Sequence, residues 1–459
     1  MKMYNTPRIM IAATSSGCGK TTITCGLLKL LLNKELNVSS FKCGPDYIDP
    51  MFHKKVLNIN SRNLDLFLNS ENTVKYLLAK NSGKSDIAVI EGVMGYYDGL
   101  GGTSLKSSSY HVSSVTKTPT ILVINSKGKS LSILAEIKGF LEYKKDSNIK
   151  GVILNNMSKM LYQSIKPIIE SELNIKALGY VPKDDKFSLE SRHLGLVTAD
   201  EVLGIEEKLD YIANILSETI DLNGIINIAK SSESIEYENI NIKKVDLLKI
   251  AVARDKAFCF YYEDNLDLLK EIGVELIEFS PLNDKHLPRD ISGLLIGGGY
   301  PELYLHDLEN NTSMKNDVLE KLLGGLPCLA ECGGFMYLGS SVKSNKEYKM
   351  VDFIKTSSFN TGRLSRFGYI TLSPNNETKF LNGEVINAHE FHYFDSTFNG
   401  EDFNAKKPIG KRNWNAIVVQ NNTLAGYPHI HYYSNLNFIY NFLDLAKAYK
   451  EGQKKWLHH

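Results

Sequence analysis

Two short stretches carry residues whose types and spacing point to chemistry. The first, "ATSSGCGKTT" at positions 13–22, sets Gly17, Gly19, Lys20, Thr21 and Thr22 directly behind an apolar run at 8–12. Glycines let successive backbone N–H groups turn toward phosphate oxygens, and a following helix adds the positive end of its dipole. A lysine then supplies a point charge and a threonine hydroxyl reaches Mg²⁺. The strict G-x-x-x-x-G-K-[ST] pattern lacks its first glycine here, because Ala13 or Thr14 holds that position. Strand, glycines, lysine and paired threonines together still point to an ATP-binding phosphate loop rather than a Gly-rich turn.

The second stretch is "GLPCLAECGGFMYLG", in which Cys332 stands at the end of an apolar strand, 327–330, and before a glycine pair that opens a helix. Such a strand–turn–helix elbow exposes a nucleophile at the strand tip and offers it a helix N-terminus that favours the thiolate. The Gly333 N–H and a second glycine loop around Gly298, in "LLIGGGYPELY", are placed to face a developing oxyanion. Cys328, inside the same strand, reads as a structural cysteine. A thiol needs a base, and "LAGYPHIHYYSN" presents His429 and His431. Residues at i and i+2 of an extended segment face the same side, so either imidazole can reach the thiol while the other orients it. Spacing does not decide between them. A further stretch, "NAHEFHYF", groups His389, Glu390 and His392, which suit a metal, an acidic substrate or plain strand surface.

A phosphate loop with Mg²⁺ needs carboxylates at neighbouring strand ends, because the ion takes oxygen ligands and keeps several waters. "FKCGPDYIDP" offers Asp46 and Asp49 after an apolar strand at 38–41, and "IAVIEGVMGYYDG" offers Glu91 and Asp98 after 87–90. Glu91 directly follows four apolar strand residues, where a carboxylate is costly to bury unless it binds something. Asn155 and Asn156, closing "GVILNN", can present amide groups to the edge of an adenine.

These residues need a scaffold that brings strand ends together. Apolar runs at 8–12, 38–41, 87–90, 120–124 and 151–154 alternate with helical periodicity, as at 27–32 and 131–140. That alternation means βαβ units and a parallel sheet covered on both faces, with ligands at the carboxyl ends of its strands. From about 222 to 245 the sequence turns polar, and "AKSSESIEYENINIKK" shows no core pattern. It reads as a linker, after which βα alternation restarts at 249–253. The expected organisation is an ATP-binding domain over 1–222, a linker over 223–245 and a second α/β domain over 246–449. A length of 459 residues agrees with two domains. The formal net charge of +1 gives no electrostatic reason to expect nucleic acid or an acidic membrane surface. No apolar run approaches the roughly 18 residues that cross a bilayer, and six scattered cysteines make no disulfide framework. Small-molecule chemistry in the cytoplasm is the expectation.

The order "SGCGKTT", "KCGPDYIDP", "EGVMGYYDG", "ECGGFMYLG", "AHEFHYF" and "YPHIHYYSN" resembles, over nearly the whole chain, the cobyrinic acid a,c-diamide synthases of the cobalamin pathway. The resemblance implies an α/β protein: a P-loop, dethiobiotin-synthetase-like parallel-sheet domain, then a class I glutamine amidotransferase domain of flavodoxin-like fold. It implies ATP- and Mg²⁺-dependent amidation of the a- and c-acetate carboxylates of cobyrinate through acyl phosphates, with ammonia released from glutamine at Cys332. By the same likeness Thr21, Asp46 and Glu91 surround Mg²⁺, and Asp46, Tyr47, Glu91 and Asp98 face the corrin carboxylates. Glutamine, ATP and a corrinoid or related tetrapyrrole are the implied partners, and a homodimer is a possible assembly. Two departures stand out. Class I amidotransferases usually end in His-x-Glu, whereas the third position here is His431; and Asn125 in "NSKGKS" stands where aspartate is common, leaving Lys127 and Lys129 for phosphate. The same chemistry on nickel-sirohydrochlorin or hydrogenobyrinate is an alternative. A more distant one is an ATP-gated partitioning or scaffold protein with an inactive amidotransferase-like domain.

Overall fold

Strands that are apolar at every position cannot keep a wet face. In the computed structural model, which describes residues 1–184, 187 and 199–456, the runs at the start of the chain accordingly become a sheet covered on both sides. In the first unit, Met1–Ile240, seven parallel strands lie in the order Ser61–Leu64, Val38–Cys43, Ile87–Glu91, Arg8–Ala13, Thr120–Asn125, Ile149–Asn155, Lys176–Val181. Ile9 and Ile11 pack with Leu27, Leu28 and Leu31 of the helix Lys20–Asn33, while Met10 and Ala12 pack on the opposite face with Ile90 and Leu122. Between Ile87–Glu91 and Thr120–Asn125 the chain crosses from one side of Arg8–Ala13 to the other. That reversal opens a crevice at the carboxyl end of the central strand, where the phosphate loop sits.

The expected linker is mostly part of this unit. Leu222–Lys230 is a helix capped by Asp221, which accepts from the Gly224 N–H at 2.8 Å and buries Ile225 and Ala229 one turn apart. Ile235–Tyr237 then pairs antiparallel with Lys2–Tyr4. The fully buried Arg8 ties the segment down, its guanidinium donating to the carbonyls of Thr116 and Glu233. Isolated apolar residues among polar ones, together with a buried cation, do here what a continuous core pattern would do.

In the second unit, Asn241–His459, six strands run in the order Val274–Phe279, Leu248–Ala253, Gly293–Ile296, Cys328–Glu331, Thr423–Gly426, Val418–Gln420, the last antiparallel to the rest. Beside them lies an antiparallel sheet that the βα reading did not anticipate: Asn413–Ala416, Phe403–Lys406, Arg366–Pro374, Ile386–His392, His429–Ile430. The chain leaves the first of these sheets at Gly426 and joins the second at His429, so the segment 426–429 bridges two sheets. Among the described residues no helix is long and apolar enough to cross a membrane.

Candidate active sites

The strand Arg8–Ala13 delivers the chain into the phosphate loop, and the helix begins at Lys20. Gly19 caps it with φ 87°, in the left-handed region that glycine adopts freely. A Cβ at Gly19 would also stand 2.3 Å from the Asn155 side-chain nitrogen. Gly17, at φ 77°, faces open space. Asn155 commits its amide to the Cys18 carbonyl, at 2.8 Å. The residue expected at a base edge is therefore placed as a brace beneath the loop. Asn156 donates to Asn125 Oδ1 at 3.0 Å, and Lys129 pairs with Glu136 at 2.6 Å, both engaged within the unit. Lys20 Nζ donates to the Met94 carbonyl at 2.8 Å, and Thr21 Oγ1 donates to Glu91 Oε1 at 2.6 Å, with Thr22 beside them on the first turn.

The carboxylates converge on a side chain that sequence reasoning passed over. Lys42, next to last in its strand, places Nζ 2.8 Å from Glu91 Oε1 and in contact with Asp49, and all three groups are buried. Burial alone would lower the Lys42 pKa, but Glu91 and Asp49 hold it well above its ordinary value. Burial pushes the Glu91 carboxyl up against the pull of Lys42, whereas at Asp49 the lysine outweighs burial and the pKa falls. Lys20, by contrast, is lowered by burial and by repulsion from Lys42. Asp46 accepts from the N–H groups of Ile48 and Asp49 at 2.8 and 3.2 Å, opening the helix Ile48–Leu57, and Tyr47 is buried beside it. Asp98 is exposed and closes a turn by accepting from Gly95 N–H at 3.0 Å. Glu91 keeps Oε2 without a hydrogen-bond partner, with His53 Nε2 4.0 Å away. A buried carboxylate with one open oxygen, beside a hydroxyl at the mouth of a phosphate loop, fits a hard divalent cation.

In the second unit Cys332 follows the strand Cys328–Glu331 with φ 50° and ψ −101°, a conformation costly for a residue with a Cβ and typical of a nucleophile held at a sharp turn. Two glycines make the turn fit: a Cβ at Gly334 would stand 2.1 Å from the Ile296 carbonyl, and one at Gly298 would stand 2.6 Å from His429 Cε1. The same point at Gly298 is 3.5 Å from both Cys332 Cβ and His429 Nε2, so thiol and imidazole flank one glycine. His429 is the histidine brought to the cysteine. His431, at the next inward position, packs its ring on Tyr262, centroids 4.9 Å apart.

The thiol differs from expectation in one respect. The helix Gly333–Leu338 is a single short turn and a half, and burial, with Glu302, raises the Cys332 pKa well above that of a free thiol despite a hydrogen bond from the Gly333 N–H. A resting thiolate is disfavoured, so a thiol acting as a nucleophile at this position would need a base. Around His429, the His389 ring stacks on the imidazole at 5.0 Å and its Nδ1 lies 3.0 Å from Tyr262 Oη. Glu331 Oε2 lies 3.5 Å from His429 Nδ1. Glu390 meets His392 Nε2 at 3.0 Å and accepts from Trp414 Nε1 at 3.3 Å. Among the described residues no group of three or more His, Cys, Asp and Glu side chains is arranged to hold a metal, and the "AHEFHYF" residues are engaged as above.

Two family models match the chain: a CobQ/CobB/MinD/ParA nucleotide binding domain over residues 9–197 and a CobB/CobQ-like glutamine amidotransferase domain over 249–436. It is 42% identical over 444 residues to the cobyrinate a,c-diamide synthase of Clostridium tetani, covering 95% of this chain and 99% of the relative. With the enzyme of the same name from Clostridium acetobutylicum the identity is 43% over 441 residues, covering 94% and 98%. With that from Caldanaerobacter subterraneus it is 39% over 449 residues, covering 96% and 98%. The two family models take in the phosphate loop and the cysteine elbow, and with relatives at about 40% identity over nearly the whole of both chains, the chain belongs to the cobyrinate a,c-diamide synthase family.

Proposed function

We propose that this protein catalyses ATP- and glutamine-dependent amidation of the a- and c-acetate carboxylates of cobyrinate, forming C–N bonds with ammonia made in its own second unit. The supporting observation is the meeting of Cys332, Gly298 and His429 in a chain whose first unit carries a phosphate loop closed by the Thr21–Glu91 hydrogen bond.

Cys332 Sγ attacks the glutamine carboxamide carbon as its proton passes to His429 Nε2, and the N–H groups of Gly333 and the Gly298 loop face the oxyanion. The imidazolium returns the proton to the departing nitrogen, leaving a thioester that water cleaves to glutamate. In the first unit Gly17, Gly19, Lys20, Thr21 and Thr22 would hold the triphosphate. A substrate carboxylate oxygen attacks the γ-phosphorus, ADP departs, and ammonia then displaces phosphate from the acyl carbon. Thr21, Asp46 and Glu91 would hold Mg²⁺, which would neutralise charge on the transferring phosphoryl group. Tyr47 and Asp98 would border the acceptor carboxylates.

Purified protein given ATP, Mg²⁺, glutamine and, separately, cobyrinate, hydrogenobyrinate and nickel-sirohydrochlorin should convert cobyrinate with a mass change of two carboxylate-to-amide replacements. Cys332→Ala should lose the glutamine-driven reaction and keep the ammonia-driven one. Equal loss with both nitrogen sources would refute the two-site mechanism, and conversion of another macrocycle alone would refute the substrate.

A further inference from the structure

We propose that Glu331 is the positioning residue that orients the His429 imidazole, supplying from the strand before the nucleophile the carboxylate that the His-x-His sequence lacks. The inference rests on reading Cys332 and His429 as a glutamine-hydrolysing pair. Its geometric basis is the arrangement of the two ring nitrogens. Nε2 lies on the side of Gly298 and Cys332, and Nδ1 lies 3.5 Å from Glu331 Oε2. The other carboxylate oxygen, Oε1, accepts from the Ile430 N–H at 3.2 Å. Glu331 is therefore tied to the same short strand that carries His429.

Three neighbouring side chains, His431, His389 and Glu390, do not supply that anion to His429. His431 occupies the position of the usual glutamate, but it is fully buried on Tyr262, and neither of its ring nitrogens has a hydrogen-bond partner. Burial holds it neutral, with a pKa of about 3. His389 stacks on His429 and is itself kept neutral by burial and by that neighbour. Glu390 is engaged by His392 and Trp414. Topology explains why Glu331 reaches the ring. It pairs in register with Gly426, and the Cys332 N–H donates to the Gly426 carbonyl at 2.7 Å, so the two strand ends enter the site side by side. His429 follows Gly426 by three residues.

A carboxylate at Nδ1 keeps the proton on that nitrogen, leaves the Nε2 lone pair for the thiol, and stabilises the imidazolium formed as the thiol ionises. For a thiol pushed up by burial this is the step that needs help. An ion-pair distance of 3.5 Å in the free site shortens as the ring becomes charged.

Glu331→Gln keeps the size and an acceptor for Ile430 while removing the charge. Glutamine hydrolysis should fall in kcat by roughly 10²-fold or more, and ammonia-driven amidation should be unchanged. The acid limb of kcat/KM for glutamine should move to lower pH, because the imidazolium has lost a neighbouring anion. In a His429→Ala background the substitution should add no further loss. Unchanged turnover and pH profile would overturn the inference, as would additive losses or an equal fall with ammonia. Cys332→Ala separates the two claims: if it abolishes glutamine use while Glu331→Gln is silent, only the orienting role fails, and if it does not, the glutaminase reading fails first.

Discussion

Gly298 stands between Cys332 and His429, and replacing it by alanine tests the proposed pairing of thiol and imidazole directly. The added methyl would stand 2.6 Å from His429 Cε1 and 3.5 Å from Cys332 Cβ. Carbon contacts settle at about 3.5–4.0 Å, so the cysteine tolerates the methyl while the imidazole must retreat by about 1 Å. It has little room to do so, since His389 stacks on it and pairs with it in register across the neighbouring strand. Misplacing a reacting group by about 1 Å costs on the order of 10²-fold in rate, and overpacking costs about 1–3 kcal/mol of stability. Glutamate release by Gly298→Ala should therefore fall by about 10²-fold, while the same preparation keeps its ammonia-driven amidation. Wild-type glutamate release would mean that His429 does not serve Cys332 across this glycine, and the site geometry drawn above would be wrong.

Three further outcomes follow from side chains engaged inside the two units. Lys42→Ala leaves Glu91 and Asp49 buried without their cation and should destabilise the first unit by about 3–5 kcal/mol, read by urea unfolding; a smaller loss than about 1 kcal/mol would show the ion pairs to be dispensable. Asn155→Ala removes the brace at Cys18 and should weaken ATP binding by about tenfold with glutamine hydrolysis intact, as measured by nucleotide titration. His431, with its folded pKa lowered to about 3 by burial, binds fewer protons folded than unfolded below its ordinary value of about 6.5. Stability should fall as pH drops from about 6.5 toward 3, by up to roughly 4–5 kcal/mol. His431→Phe should flatten that slope and leave glutamine turnover largely in place; an unaltered slope would assign the acid sensitivity elsewhere.

Much of the fold was legible because its strongest signals are local. A buried parallel strand must be apolar at each position, so Ile87–Ile90 declares itself, and a loop that needs φ near 80° at two places shows glycine at both. The helix Leu222–Lys230 was hidden because only Ile225 and Ala229 are fully buried, too few to register against a polar background. The antiparallel sheet was hidden for another reason. Its strand Arg366–Pro374 exposes Phe367, opposite the exposed Phe391, so the inside-out alternation that marks a strand is broken where it would be sought.

The site divides along the same line. The sharp turn at Cys332 was readable because the glycines around it report a backbone conformation, and conformation is a property of neighbours in sequence. Lys42 and Glu331 were not, because a charged residue near a strand end looks the same whether it faces water or a partner brought in by the sheet. Lys42 acquires its role only when parallel pairing sets it in register with Glu91 and the following helix returns Asp49. Glu331 acquires its role only when the strand ending at Gly426 lies alongside and releases His429 within reach. One consequence is mechanical. Glu331 and Cys332 are consecutive residues at one strand end, so a displacement of that end carries the proposed orienting carboxylate and the proposed nucleophile together, and what it alters is their distance to His429. Changes that shift the strand Cys328–Glu331 should therefore impair proton transfer and orientation jointly, whereas a change confined to the His429 strand should separate them.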